Sequence, residues 1–167
     1  LVLNVSPGTS KSTVWSILFP AWVWTFFPQC RIMTASHTDD LVLDLSNKSR
    51  TVIRSDKYRD WFPEVVLRPG QDAKGHYGNL AGGDRKTCTV AGKSPTGFHA
   101  HLIIIDDPID PKKVLSEAEV RTARDFITNI IPTRKVDKAT AVTLLIMQRL
   151  GIGDPTEVML DEAKKEG

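Results

Sequence analysis

Two apolar runs constrain this chain more than any other feature. Residues 101–105 (HLIII) and 141–148 (AVTLLIMQ) are almost continuously apolar, and neither alternates with polar residues as a half-solvated strand would. A strand of this kind is buried on both faces, which requires a parallel sheet covered by helices above and below. Other segments fit the same scheme. Residues 1–6 (LVLNVS) and 31–35 (RIMTA) read as short strands. Residues 11–25 have helical length, and residues 39–54 carry Leu41, Leu45, Val52 and Ile53 among polar side chains, the pattern of an amphipathic helix. Ser116 and Glu119 stand in capping-box spacing, which predicts a helix over residues 116–131 stopped by Pro132. A last short helix is expected over residues 155–165. Residues 55–95 are looser and rich in Gly and Pro; within them, residues 76–80 and 85–90 flank Ala81-Gly82-Gly83-Asp84 as the arms of a hairpin would. The expected class is α/β with a mainly parallel central sheet.

Composition narrows the function classes. A chain of 167 residues with 41% hydrophobic content and four Trp can bury the core of one domain and is not disordered. A net charge of +2 does not mark a nucleic-acid binder by electrostatics alone, and the cluster Lys48, Arg50, Arg54, Lys57 and Arg59 reads first as a solvated helix face. Cys30 and Cys88 cannot build a disulfide framework or a four-thiolate metal site. Residues 14–27 carry no charge, but the run is shorter than the roughly 20 residues of a membrane span and contains Pro20, so a buried helix is expected. No basic start with a small-residue cleavage site marks a signal peptide. Trp22, Trp24 and Trp61 are expected in the core. The four His lack metal-ligand spacing, and His99 and His101 are expected to pack at a strand end.

Ligands of an open parallel sheet sit beyond the carboxyl ends of its strands, and three strand ends here carry suitable groups. The first is Ser6-Pro7-Gly8-Thr9-Ser10-Lys11-Ser12-Thr13, between a strand and a helix. A phosphate loop needs small residues whose amides can wrap a polyphosphate, a helix N-terminus, a Lys and a hydroxyl for Mg²⁺. Gly8, Lys11 and Ser12 supply these in order, although Val5 and Ser10 stand where the strict G-x-x-x-x-G-K-[ST] pattern has Gly. A Ser/Gly/Thr turn capping a helix would read much the same. The second is Asp106-Asp107, closing the apolar run 102–105 in the form of a Walker B strand. There the first carboxylate would serve Mg²⁺ and the second would polarise the attacking water. Two acids capping a loop are the plain alternative. The third is Gln148-Arg149, where a polar side chain could report on the γ-phosphate.

These residues resemble the ATPase half of tailed-phage terminase large subunits, in a subgroup whose loop reads like P-P-G-T-x-K-S followed by P-A-W-x-W. Here the matching segments are residues 6–12 and Pro20-Ala21-Trp22-Val23-Trp24, so the resemblance covers the missing Gly before Lys11 and the aromatic run. Thr34-Ala35-Ser36, residues 50–58, Gly82-Gly83-Asp84-Arg85, Thr96-Gly97, Asp106-Asp107-Pro108, Ser116-Glu117, Thr133-Arg134 and residues 146–150 continue the series to about Leu160. The resemblance implies a three-layer, RecA-like P-loop NTPase that uses ATP with Mg²⁺. Pro7, Gly8, Thr9, Ser10, Lys11, Ser12 and Thr13 would bind ATP, with Lys11 on the β/γ-phosphates. Ser12 and Asp106 would serve Mg²⁺, Asp107 would take the carboxylate role usually played by Glu, and Gln148 would couple hydrolysis to movement. Thr96 stands where many members have an arginine finger, which leaves Arg85, Arg134 and Arg149 as candidates. Gly151-Ile152-Gly153 replaces the subgroup's His-Glu. The implied partners are double-stranded DNA, a portal protein, a small terminase subunit and further copies in a ring, in the host cytoplasm and away from membranes. The loop begins at residue 6, so the chain reads as a core without the upstream adenine-binding segment or a downstream nuclease, weakly active alone. A degenerate prophage nucleotide-binding domain, or another small P-loop NTPase or kinase, is the alternative.

Overall fold

Both apolar runs become neighbouring interior strands of a seven-stranded sheet. The structure, a computed structural model, describes residues 1–92, 96–113 and 116–166; residues 93–95, the end of the looser region, fall outside it. Strands β1 (Val2–Asn4), β2 (Arg31–Ser36), β5 (Asp84–Thr89), β6 (Leu102–Asp106) and β7 (Val142–Met147) are parallel, in the order β1-β7-β6-β2-β5. Two antiparallel strands, β4 (His76–Asn79) and β3 (Leu67–Ala73), extend the β5 edge. The hairpin between β4 and β5 turns at the glycine pair, as expected. The register sets Ile104 of β6 between Thr34 of β2 and Leu144 of β7, and every residue of β6 is buried.

The faces are covered by separate helix sets. On one side lie a π-helical segment Thr13–Leu18 running into α1 (Phe19–Phe26), then α2 (Asp39–Arg54) and α3 (Asp56–Trp61). Their Ala21, Trp24, Ile53 and Tyr58 pack on Ile32, Ile104, Leu144 and Ile146. On the other side, α4 (Glu117–Asp125), a second π-helical segment Phe126–Ile130, α5 (Ile131–Arg134) and α6 (Pro155–Glu166) bury Phe126, Ile127, Ile131 and Val158 on Met33, Ile103, Ile105 and Met147. Successive strand residues feed opposite cores, which is why the runs show no alternation. The result is an α/β fold with a mostly parallel sheet.

Three expectations need correction. Pro132 does not stop its helix. It follows a π-helical segment, in which the Ile131 amide reaches back five residues to the Phe126 carbonyl and makes room for the ring. Pro20 is carried through the first helix in the same way, after Phe19 bonds the Val14 carbonyl. The second correction concerns the charge-free stretch, which is buried on one face only. Trp24 is enclosed, whereas Leu18, Trp22 and Phe26, at four-residue spacing, are exposed, as is Trp61. Third, the looser region holds α3 and β3, which were not anticipated. Among the described residues no helix is long and apolar enough to cross a membrane.

Candidate active site

The carboxyl ends of β1, β7 and β6 bring the predicted residues to one edge of the sheet. Backbone pairing fixes their order: the Val5 amide bonds the Met147 carbonyl at 3.1 Å and the Asp107 amide bonds the Ile146 carbonyl at 2.9 Å. Gln148 therefore emerges between the loop after β1 and the acidic pair after β6.

The loop itself is shaped by two left-handed residues, Gly8 with φ 78° and Ser10 with φ 59°. Thr9 closes it by donating from Oγ1 to the Ser6 carbonyl at 2.7 Å. The Ser10 carbonyl then accepts the Val14 amide at 3.0 Å, so the amides of Lys11, Ser12 and Thr13 open the helix without intrahelical acceptors. Ser10 stands where the strict pattern has Gly, in a left-handed conformation that glycine adopts most readily.

Lys11 and Ser12 reach across to the two acids. Lys11 Nζ lies 3.1 Å from Asp107 Oδ1, with both side chains largely buried. Ser12 Oγ donates to Asp106 Oδ1 at 3.1 Å, and Ser16 Oγ donates to Asp106 Oδ2 at 2.6 Å. Asp106 is completely buried, and burial raises its pKa above the ordinary value. The hydrogen bonds from Ser16 and Ser12 oppose the rise, the Asp107 charge adds to it and Lys11 opposes it. Asp107 is itself left-handed, with φ 44°, and its carbonyl is held by His37 Nδ1 at 2.8 Å.

The donor set suits a hard cation such as Mg²⁺. A hydroxyl and a carboxylate oxygen are adjacent, and such ions with phosphates need only one or two protein ligands. Ser36 lies on the same sheet face as Asp106, because Ala35 pairs with Ile105 one residue earlier in each strand. Its hydroxyl is buried without a partner among the described residues, a polar group left open beside the carboxylate. Among the described residues no three His, Cys, Asp or Glu side chains form a metal-binding group.

The three arginine candidates go to different places. Arg85 is 1% exposed; its Nη2 donates to the Ser16 carbonyl at 2.7 Å and its Nη1 to the Tyr77 hydroxyl at 3.3 Å. A guanidinium enclosed in this way cannot reach out to a phosphate, so Arg85 does not fit the finger role. Arg134 has its carbonyl bonded to the Ala100 amide, just before β6 begins and therefore at the opposite end of that strand from Asp106. Arg149 follows β7 at the correct end, with Nε 3.1 Å from Asp154 Oδ2 and Nη2 on the Gly151 carbonyl. Asp154 in turn caps α6 by accepting the Thr156 amide at 3.0 Å. The turn 151–153 is thus organised by Asp154. His101 packs as expected, accepting the Arg31 amide at Nδ1 and meeting the Phe27 ring edge-on. Ser16 and His37 were missed, since neither belongs to a spaced motif and only the folded chain brings them to the acids.

Fold and site together define an α/β protein whose loop, lysine and paired carboxylates share the carboxyl edge of a parallel sheet. No family model matches the sequence, and no curated protein matches it. Among solved structures, the crystal structure of the HK97 bacteriophage large terminase is similar, with a TM-score of 0.60 and 18% sequence identity. The match covers 99% of this chain and 32% of that chain. At this identity the likeness is one of fold: the chain has a terminase-like α/β architecture along its whole length and spans about a third of the larger protein.

Proposed function

We propose that this chain is a Mg²⁺-dependent ATPase core of the terminase type, the kind of motor that drives double-stranded DNA into a capsid. The observation that carries the reading is the meeting of Lys11, Ser12, Asp106 and Asp107 at one sheet edge, from segments 94 residues apart in the Ser12–Asp106 bond. Lys11 and the free amides of the helix start are the groups that would hold the β- and γ-phosphates. Ser12 and Asp106 would hold Mg²⁺, which when bound neutralises phosphate charge as it develops.

Asp107 has the catalytic part in this reading. Its carboxylate is paired with the Lys11 ammonium, and an arriving γ-phosphate offers that ammonium a second anionic partner. Asp107 is then free to accept a hydrogen bond from a water and orient it for attack. The His37 bond to the Asp107 carbonyl keeps this backbone in place. Gln148, between the loop and the acids, is positioned to couple phosphate occupancy to the strand it ends. The partners that follow are DNA, a portal protein, a small terminase subunit and further copies in a ring, in a host cytoplasm. Arg149 is the finger candidate best placed along the sheet edge.

Lys11→Ala and Asp107→Ala are each expected to lower Mg²⁺-dependent ATP hydrolysis by about 10²–10³-fold, the usual loss for one preorganised electrostatic group. Turnover at the unsubstituted rate in either variant would refute the assignment. Tight ATP binding with no turnover in the unsubstituted protein would instead favour a nucleotide-binding module that does not hydrolyse.

A further inference from the structure

Arg85 is one of the largest fully buried side chains of the molecule, and among the described residues it has no acidic ion-pair partner. Its strongest contact is a backbone oxygen, the Ser16 carbonyl at 2.7 Å. That oxygen is available for a reason written in the sequence. The regular helical partner of the Ser16 carbonyl would be the amide of residue 20, and residue 20 is proline, which has no N–H. The π-helical segment Thr13–Leu18 accommodates the ring, and the Arg85 guanidinium takes up the carbonyl so exposed. Ser16 itself is fully buried, and its hydroxyl donates to Asp106 Oδ2 at 2.6 Å. One residue therefore holds a buried guanidinium on its carbonyl and a buried carboxylate on its hydroxyl.

The fork of an arginine is what this geometry needs. Nη2 is on Ser16, Nη1 is on the Tyr77 hydroxyl, and Tyr77 donates onward to the Ser46 carbonyl of α2 at 3.4 Å. Two directed donors clamp the π-helical segment between β5 and α2, which a single ammonium could not do. We propose that Arg85 is a positioning residue for Asp106: through Ser16 it fixes the rotation of the carboxylate that receives the metal. The proposal rests on the reading of Asp106 as a metal ligand. It also explains why this buried arginine sits two strands away from the site it serves.

The test is Mn²⁺ binding with saturating ADP, read by electron paramagnetic resonance, alongside thermal melting. Ser16→Ala and Arg85→Met are each expected to weaken Mn²⁺ binding about tenfold or more, the usual cost of losing a residue that orients a metal ligand. Because Arg85 acts through Ser16, the double variant should bind no more weakly than Ser16→Ala alone. Pro20→Ala restores an amide that competes for the Ser16 carbonyl. It should weaken Mn²⁺ binding several-fold without lowering the melting temperature, a result that a merely structural arginine would not give. If Arg85→Met does not fold, Ser16→Ala and Pro20→Ala decide the matter. Unchanged Mn²⁺ affinity in either of them, or additive losses in the double variant, would overturn the proposal and leave the metal site standing. No ADP-dependent Mn²⁺ binding by the unsubstituted protein would overturn the metal site and the proposal together.

Discussion

Asp106→Asn should make the protein more stable and unable to use metal. The carboxylate is completely buried, and burial is the largest influence on its pKa, outweighing the Ser16 and Ser12 hydrogen bonds and the attraction of Lys11. An ionised Asp106 is therefore a net cost to the folded state at neutral pH. Asparagine has the same shape and no charge, and either serine hydroxyl can rotate to suit its amide. Relieving one such functional liability is worth about 1 kcal/mol, which raises the melting temperature of a domain this size by about 2–4 °C. The pH dependence fixes the sign. The folded pKa lies above the ordinary 3.8, so the cost is present at pH values above the folded pKa. It shrinks as pH falls through the folded pKa and disappears below the unfolded one. The advantage of Asn should accordingly be largest near neutrality and vanish in acid. Calorimetric melting of both proteins across that range, with and without Mg²⁺ and ADP, measures it. Added Mg²⁺ and ADP should stabilise the aspartate protein further than ADP alone, and the asparagine protein no further. An asparagine variant that melts lower at neutral pH, or that gains as much from Mg²⁺, would refute the reasoning.

Two further predictions concern the scaffold. Gly83→Ala would drive a Cβ into the Pro28 carbonyl oxygen and to 2.6 Å from Asn79 Nδ2, the same amide that bonds Pro28. Neither neighbour can move without breaking the tie between the β4–β5 turn and the approach to β2, so a loss of about 3 kcal/mol is expected. A melting temperature within a degree of the parent would contradict it. Burial pushes the Cys30 and Cys88 thiols up to about 12, so at pH 8 only about one in 10⁴ is thiolate. Iodoacetamide should label both in denaturant and neither in the native protein; native labelling at a free-thiol rate would show that these cores open.

Much of the fold was legible because burial leaves a pattern. The runs at β6 and β7 carry no alternation because both faces are covered, and α2 was readable from its amphipathic repeat. The segment β3 was not legible: a strand with no fully buried residue, and with Pro69 and Gly70 inside it, has the composition of a loop and exists because β4 offers it an edge. The helix through Pro132 was hidden for a different reason, since a π-helical turn is a response to packing and leaves no spacing signal. The outward placement of Trp22 and Trp61 shows the limit of hydrophobicity as a guide, because the run around Trp22 holds more apolar residues than one helix face can bury. At the site, motif spacing located Lys11, Ser12, Asp106 and Asp107 but not Ser16 or His37, whose roles depend on crossing distances in space.

What separates a ligand site from two coincidental turns is where the backbone is strained. Each motif alone has a plain explanation, a serine-rich turn or a pair of loop acids. A capping turn can use a buried carboxylate, as Asp154 does at the start of α6, but it has no need of a strained backbone. Among the described residues Ser10 and Asp107 are the non-glycine residues with positive φ, and both lie at the carboxyl ends of the strands, beside Lys11. Each such residue costs of order 1–3 kcal/mol and persists only where its surroundings over-determine it. Here they do: the Asp107 amide is fixed on Ile146, its carbonyl on His37 and its carboxylate on Lys11. Glycine at position 10 would remove one strain, and a neutral residue at 106 would remove the nearby buried charge. The chain keeps both costs at the same edge, within reach of the same lysine and serines. Strain and buried charge concentrated at one end of these strands favour a ligand site over two coincidental turns.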